Sequence, residues 1–180
     1  MSRSTEAWAA AALEAGFSHA GPLNMSALKF LPEVRSMCAA DRCQSYGRNW
    51  MCPPGCGTLE DAAARAAGYR RGILLQSTGQ LEDDFDVETM MDTEAAHKER
   101  FKSFTALVRG ELPGCLPMAA GTCTICRQCT YPDAPCRFPE RAIPSMEAYG
   151  LFVSQVCQDS GMAYYYGPRT ITYTSCILLD

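Results

Sequence analysis

The chain has 180 residues, of which 47% are hydrophobic, and this is enough apolar surface to build a core without disulfide bonds. Sixteen basic and twenty acidic residues give a net charge of −4, and no basic run is long enough to bind a phosphate backbone. The composition therefore argues against a nucleic-acid partner and favours a single cysteine-rich domain over residues 1–180.

The first segment, Met1 to Ala15, is rich in alanine and predicts a helix over residues 5–15. It contains Glu6 and Glu14 and lacks a continuous apolar stretch, so it does not resemble a signal peptide. No part of the sequence approaches the roughly 20 apolar residues that a membrane span needs. We therefore expect a cytoplasmic protein with no membrane partner, in a reducing compartment where grouped cysteines bind metals rather than form disulfides.

The remaining chain alternates between predicted strands and predicted helices. The predicted strands are Phe17 to Leu23, Gly72 to Ser77, Leu116 to Ala120 and Thr170 to Leu179. The predicted helices run from a capping box at Thr58 and Asp61 to about Ala67, from about Val87 to Gly110, and from Pro144-Ser145 to about Asp159. This order predicts an α/β (α+β) fold, with a mixed β-sheet, flanking helices and two cysteine-rich metal-binding loops at about residues 38–56 and 121–137.

Eight of the eleven cysteines fall into two compact groups, which are the predicted metal and cofactor ligands. The first cysteine group consists of Cys38, Cys43, Cys52 and Cys56, and the second of Cys123, Cys126, Cys129 and Cys136. Breakers such as the Cys52-Pro-Pro-Gly-Cys56 corner place the first group in an irregular loop. Such clustering in a chain that needs no disulfides indicates two metal sites.

The second group has the stronger signal for an iron-sulfur cluster. Its first three cysteines have the Cys-x2-Cys-x2-Cys spacing of bacterial ferredoxins, although the gap to Cys136 is longer than usual. Four thiolates can also bind zinc, but zinc modules typically separate their two Cys-x2-Cys pairs. The spacing therefore favours a 4Fe-4S cluster, with zinc as the alternative.

The first group has a less regular spacing that matches no common zinc motif. We expect a second 4Fe-4S cluster here, again with zinc as the alternative. The two clusters could also exchange ligands between the groups, as they do in two-cluster ferredoxins.

The other cysteines and the histidines fit a structural role better than a chemical one. Cys157 and Cys176 lie in apolar surroundings and predict core thiols, and a core position is also favoured for Cys115 over a reactive thiol or spare ligand. His97 falls on the apolar stripe of a predicted helix, so it predicts a satisfied core histidine. His19 has no companion in the sequence that would make a site.

Two further segments carry weaker signals. The run Tyr164 to Tyr166 could line an aromatic pocket, although a tyrosine run entering a strand is more often half core and half surface. Arg127, Arg137 and Arg141 flank the second cysteine group, where they could balance cluster charge or bind an anion, or simply be solvated loop residues.

Several motifs together resemble a known family. They are Cys38, Cys43 and Cys52-Pro-Pro; Gly121-Thr-Cys-x2-Cys-x2-Cys; Cys136-Arg-x-Pro-Glu140; Pro144-Ser-Met-Glu-Ala148; and Tyr166-Gly-Pro-x-Thr170. The chain, from about Cys38 to its end, resembles an uncharacterised family of predicted metal-binding proteins. The resemblance implies a small iron-sulfur metalloprotein of the kind found in anaerobic bacteria and archaea, and it implies no particular reaction.

Three functions follow from these patterns. The leading hypothesis is a carrier with two 4Fe-4S clusters that exchanges electrons with a redox partner protein, for which all eight cysteines matter. The second is an enzyme whose open-site cluster acts as a Lewis acid or binds sulfur, since such a site needs only three protein thiolates. The third is a zinc-stabilised interaction module, in which the metal contributes folding energy. No catalytic residue, substrate or oligomeric state is defined by the sequence.

Overall fold

The structure, a computed structural model, describes residues 3–180 and has both helices and strands, which confirms the α+β class. Met1 and Ser2, which begin the predicted domain, lie outside the described residues. The helices are α1 (Thr5–Glu14), α2 (Pro32–Ala39), α3 (Leu59–Ala66), α4 (Val87–Glu111) and α5 (Val153–Asp159), with short 3-10 helices at Met25–Ala27 and Glu147–Tyr149. The strands are β1 (His19–Pro22), β2 (Gly72–Gln80), β3 (Leu116–Met118) and β4 (Thr170–Leu178).

The four strands form one sheet in the order β1-β2-β4-β3. All three pairings between these strands are antiparallel, whereas the sequence predicts a mixed sheet with both parallel and antiparallel pairs. The central pair is the longest, with Gly72 opposite Leu178 at one end and Gln80 opposite Thr170 at the other. The connection through α4 joins β2 to β3, which lie on either side of β4 rather than side by side. The alternation of elements therefore does not produce the parallel pairs that it often indicates.

The core lies on both faces of this sheet, because alternate strand residues point to opposite sides. In β2, Ile73 and Leu75 pack with Trp8 of α1 and Phe104 of α4. Leu74 points the other way, into a cluster with Met146, Tyr149, Val156 and Cys157. The central strands are therefore apolar on both faces, which explains the short continuous apolar run in the sequence.

The predictions for the three remaining cysteines and for His97 are confirmed. Cys115, Cys157 and Cys176 are all buried within the two apolar clusters. His97 is completely buried, and its two ring nitrogens contact the hydroxyls of Ser77 at 2.9 Å and Ser175 at 2.8 Å. Both nitrogens are satisfied by β2 and β4, so this histidine fixes α4 against the sheet.

Two helix predictions differ from the structure. The single helix predicted from Pro144-Ser145 to Asp159 is broken into a 3-10 turn and α5, because Gly150 adopts a left-handed φ of +78°. A Cβ at Gly150 would also lie 3.0 Å from the carbonyl oxygen of Leu31, so the break coincides with a close approach of two backbones. The other difference is α2, which places Cys38 in a helix rather than in the predicted loop. Its signal was Pro32 at the first helical position, followed by Glu33.

The sheet also positions the second cysteine loop. The chain leaves β3 and forms a parallel bridge between Ala119 and Ser145, so the two ends of segment 120–144 are held together.

The capping box predicted at the start of α3 is present, with Thr58 and Asp61 each accepting a hydrogen bond from the other's backbone N–H. Within residues 3–180, none of the helices combines the length and apolar character that crossing a membrane requires.

Candidate metal centre

The first cysteine group spans the end of α2 and the loop that precedes α3. Cys38 lies in the last turn of α2 and is half-buried, and Cys43 is exposed in the following loop. Cys52 and Cys56 are both buried. The backbone N–H of Cys56 donates to the carbonyl oxygen of Cys52 at 3.1 Å, which makes this part of the loop a single compact turn.

The thiols of this group are close enough to affect one another electrostatically. The pKa of Cys52 is raised to about 11, chiefly by burial and in smaller part by the charges of Cys43, Cys56 and Cys38. The pKa of Cys38 is likewise raised, chiefly by burial. Neighbouring thiols that resist ionisation in the free protein ionise when a cation joins them, because metal binding displaces their protons.

Cys56 differs from the other members of its group in having a cationic partner. The guanidinium of Arg35 donates to Cys56 Sγ at 3.5 Å, to the carbonyl oxygen of Gly57 at 2.9 Å and to that of Ala148 at 2.7 Å. Arg35 lies on α2, three residues before Cys38. This side chain therefore joins α2, the turn at Cys56 and the 3-10 segment at Ala148.

The second cysteine group is gathered around one small cavity. All four of its cysteines line this cavity, which has a volume of about 20 Å³. The four cysteines are half-buried. The pKa of Cys123 is raised, first by burial and then by the neighbouring charges of Cys136, Cys129 and Cys126. The loop thus collects four soft donors with no other titratable side chain on the cavity wall.

Trp50, from the first loop, holds the second loop in place by three contacts. Its indole N–H donates to the carbonyl oxygen of Ala134 at 3.0 Å. Its ring meets that of Tyr131 edge to face, with centroids 4.8 Å apart. Its backbone N–H donates to Cys129 Sγ at 3.4 Å. The second loop is therefore shaped by a residue that lies two positions before Cys52.

The two cysteine groups are direct neighbours. Thr122, which precedes Cys123, has its hydroxyl 3.2 Å from Cys52 Sγ. Asn49 donates from its side-chain amide to the carbonyl oxygen of Cys123 at 3.1 Å. Each group therefore contacts residues that lie within three positions of a cysteine of the other group, and the short segment from Asn49 to Cys52 serves both.

The donor sets suit a metal, but the side chains are not yet arranged as ligands. Within residues 3–180, no three His, Cys, Asp or Glu side chains are placed so that they could hold a metal ion directly. The second group nevertheless supplies four thiols on one wall, which is the donor chemistry of iron-sulfur and zinc sites.

Three cysteines of the first group face a larger cavity of about 360 Å³. Cys38, Cys43 and Cys52 line it, together with Glu147 and Tyr164. Glu147 is exposed, and it lies on the concave wall of this cavity, where neighbouring side chains replace part of the water around its carboxyl. This desolvation raises the pKa of its carboxyl, while hydrogen bonds to its own backbone and to Ser145 oppose the rise.

The tyrosine run divides between surface and site. Tyr165 is exposed, Tyr164 lines the cavity beside the first group, and the Tyr166 hydroxyl donates to the Gln76 side chain at 2.7 Å. His19 stacks on the Tyr166 ring with centroids 3.9 Å apart, so it has the companion that the sequence did not reveal.

The three arginines around the second group are exposed loop residues. Arg137 donates to the carbonyl oxygen of Gln128 at 2.9 Å, and the Arg141 guanidinium lies over the Phe138 ring. Arg141 also lines a cavity of about 210 Å³ that reaches Cys123. In the part of the chain that the structure describes, Arg127 makes no hydrogen bond or ion pair with a cysteine of the second group.

Sequence reasoning did not identify four residues that shape the two groups: Arg35, Trp50, Thr122 and Glu147. Glu147 is far from the first group in the chain, and Arg35, although three residues before Cys38, pairs with Cys56, 21 positions later, so cysteine spacing could not reveal either contact. The sequence did offer a signal for Trp50 and Thr122, because each lies within two residues of a cysteine.

Comparisons with known proteins identify a family and nothing more specific. A family model described as "Predicted metal-binding protein (DUF2284)" matches residues 22–179. No curated protein and no solved structure matches the chain. The matched segment contains both cysteine groups and every strand but the first few residues of β1, so the chain belongs to the DUF2284 family of predicted metal-binding proteins.

Proposed function

We propose that this protein binds two iron-sulfur clusters, one at each cysteine group, and passes single electrons to or from a redox partner protein. The observation that carries the proposal is the contact between the groups, in which Thr122 touches Cys52 and Trp50 donates to Cys129. Two redox centres in such contact could exchange electrons without any moving part. The ferredoxin-like spacing of Cys123, Cys126 and Cys129 supports iron and sulfide as the cofactor.

The chain's own residues would tune these centres in three ways. Thr122 and the backbone N–H of Trp50 supply hydrogen bonds to cysteine sulfur, which influence cluster potential. Arg35 supplies positive charge beside Cys56. Burial of Cys52 limits access of water. A bound cluster would supply the one-electron chemistry, which these side chains cannot supply themselves.

Net charge supports a partner with a basic docking surface. The chain carries a charge of −4 before any cluster is counted, and complementary charge speeds the encounter of transient electron-transfer partners. Such an association would weaken as salt is added, because exposed charges are screened within about 10 Å at 0.1 M ionic strength.

The test is anaerobic purification followed by an absorption spectrum and by iron, sulfide and zinc analysis. We expect a broad band near 400 nm and, on a two-cubane count, about eight iron and eight sulfide per chain. Electron paramagnetic resonance of the fully reduced protein should show magnetic interaction between the two clusters, because the groups are adjacent. Cys129→Ser should remove the second cluster and, with it, this interaction, while the signal of the first cluster remains.

A zinc-stabilised interaction module is the second candidate, and one observation favours it. The cavity inside the second cysteine group holds about one water-sized sphere, which suits a single ion better than a cubane unless the loop expands. Four thiolates are also a normal ligand set for structural zinc. A colourless protein with about two zinc ions per chain would establish this candidate and overturn the electron carrier.

A further inference from the structure

The cavity beside the first cysteine group has the size and lining of a small-molecule site. Its volume of about 360 Å³ falls in the range usual for ligand pockets. Cys38, Cys43 and Cys52 line it, and so does a largely apolar segment formed by the start of α5 and the residues before it. Its polar lining carries charges of both signs, from Arg42 and Glu147, besides hydroxyl side chains such as that of Ser145.

Cys56 does not share this cavity with the other three cysteines. It lines a separate cavity of about 330 Å³, together with Arg65 and Tyr149. Its sulfur is held by the Arg35 guanidinium at 3.5 Å and lies 3.7 Å from the carbonyl oxygen of Ala148. The sulfur of Cys56 thus has a charged partner, whereas within residues 3–180 the sulfurs of Cys38 and Cys52 contact neutral groups, the carbonyl oxygen of Glu147 and the hydroxyl of Thr122.

We propose that the first cluster is held by Cys38, Cys43 and Cys52 alone, and that its remaining iron faces this cavity and binds an organic ligand. This inference rests on the proposed function, because it needs a cluster at the first group. Three thiolates and four irons leave one iron without a protein sulfur. Cys56 is then a positioning residue, which acts through its pairing with Arg35 to fix the turn that carries Cys52.

The cavity chemistry indicates the class of ligand. Iron in thiolate clusters is a soft site that favours sulfur donors, and the Leu151, Phe152 and Val153 wall favours an apolar body. The ligand is therefore an organic molecule with an apolar body and one sulfur donor, and an aromatic thiol is the simplest probe of that class.

The ligand assignment is tested first by iron content. The wild-type protein, Cys56→Ser and Cys52→Ser are purified anaerobically and reconstituted with iron and sulfide. We expect Cys56→Ser to retain the wild-type iron content and Cys52→Ser to lose about half of it, on a count of two equal clusters. Equal loss of iron in both variants would show that Cys56 is a ligand and overturn the inference, while the proposed function would stand. A wild-type protein without iron would overturn both.

The open iron is tested on the wild-type protein, so the result does not depend on how a cysteine variant folds. Benzenethiol is titrated against the reduced protein, and the resonance spectrum of the first cluster is followed. We expect that spectrum to change with saturation while the second cluster is unaffected. An unchanged first-cluster spectrum at saturating thiol would overturn the inference.

A matched pair of variants tests whether the ligand enters through this cavity. Ser154 lines the cavity, whereas its neighbour Gln155 is exposed and does not. Ser154→Phe should weaken the response to benzenethiol at least tenfold by filling the cavity, and Gln155→Phe should leave it unchanged. Equal responses in the two variants would place the ligand elsewhere and overturn the proposed site.

Discussion

The hydroxyl of Thr122 lies 3.2 Å from Cys52 Sγ, although the two residues are 70 positions apart and belong to different cysteine loops. When Cys52 is a metal-bound thiolate it has no proton to give, so Thr122 must be the donor. The same hydrogen bond opposes the rise in the pKa of Cys52 that burial causes. This contact makes Thr122 the clearest single link between the two proposed centres.

Replacing Thr122 should lower the midpoint potential of the first cluster. Thr122→Val removes the donor with little change in shape, and a hydrogen bond to sulfur stabilises the more negative, reduced state. We expect a decrease of tens of mV, with about 60 mV corresponding to 1.4 kcal/mol for one electron. A redox titration followed by electron paramagnetic resonance measures it. Thr122→Ser keeps the hydroxyl and is the control; a shift of equal size in both variants would argue against the hydrogen bond.

Gly55 should be intolerant of even one methyl group. A Cβ there would lie 2.7 Å from the carbonyl oxygen of Asn49 and 3.0 Å from the Tyr131 ring, so both loops would have to move. We expect Gly55→Ala to reduce the metal content of both centres, measured per chain after anaerobic purification. Gly68 has no atom within 4 Å of such a position, so Gly68→Ala should bind metal like the wild type. Full metal content in Gly55→Ala would show that the loops can separate without loss of either site.

Much of the fold could be predicted because its signals are local. The capping box at Thr58 and Asp61 and the apolar run beginning at Gly72 each lie within a few residues, and both predictions are confirmed. The break at Gly150 could not be predicted from helical periodicity. It depends on the approach of Leu31, more than a hundred residues earlier, to the same backbone.

The site was predictable only in part, for the same physical reason. Cysteine spacing indicates which thiols are near one another along the chain, and the four cysteines of the second group do line one cavity. Spacing does not indicate that Arg35 reaches Cys56, or that the two groups touch through Thr122. Those contacts arise when α2 and the loop after β3 each pack against the loop that carries Cys52 and Cys56, which no short motif records.

Trp50 should control how firmly the second centre holds its metal. Trp50→Phe removes the indole N–H bond to Ala134 but keeps an aromatic ring near Tyr131. A neutral hydrogen bond is worth about 1 kcal/mol, so we expect metal loss to a chelator to be about fivefold faster. Trp50→Ala also removes the ring contact, worth about 0.5–1.5 kcal/mol more, and should lose metal faster still. Chelator challenge followed by absorbance gives these rates. Identical rates in the wild type and both variants would show that the side-chain contacts of Trp50 do not affect metal release.

His97 should make folding stability depend on pH below neutrality. Burial, with smaller contributions from the charges of Arg100 and Lys98, lowers the pKa of His97 to about 4, against an ordinary value of 6.5. As pH falls from 6.5 towards 4 the unfolded chain takes up a proton that the native chain excludes, so stability is complete above 6.5 and declines below it. The two hydroxyl partners, Ser77 and Ser175, provide no negative charge that would stabilise a protonated His97 in the folded protein.

The measurement is urea unfolding of the anaerobic protein at pH 7 and pH 5, with and without His97→Gln. Both proteins also carry His19→Gln, because the chain has two histidines. With His19 replaced, the difference between the two proteins reports the titration of His97 alone. We expect the protein with His97 to lose about 1–2 kcal/mol more unfolding free energy between these pH values than the His97→Gln protein, since each full proton contributes about 1.4 kcal/mol per pH unit. Equal losses in the two proteins would mean that His97 accepts a proton within the fold, and α4 would then have to move away from Ser77 and Ser175 at acidic pH.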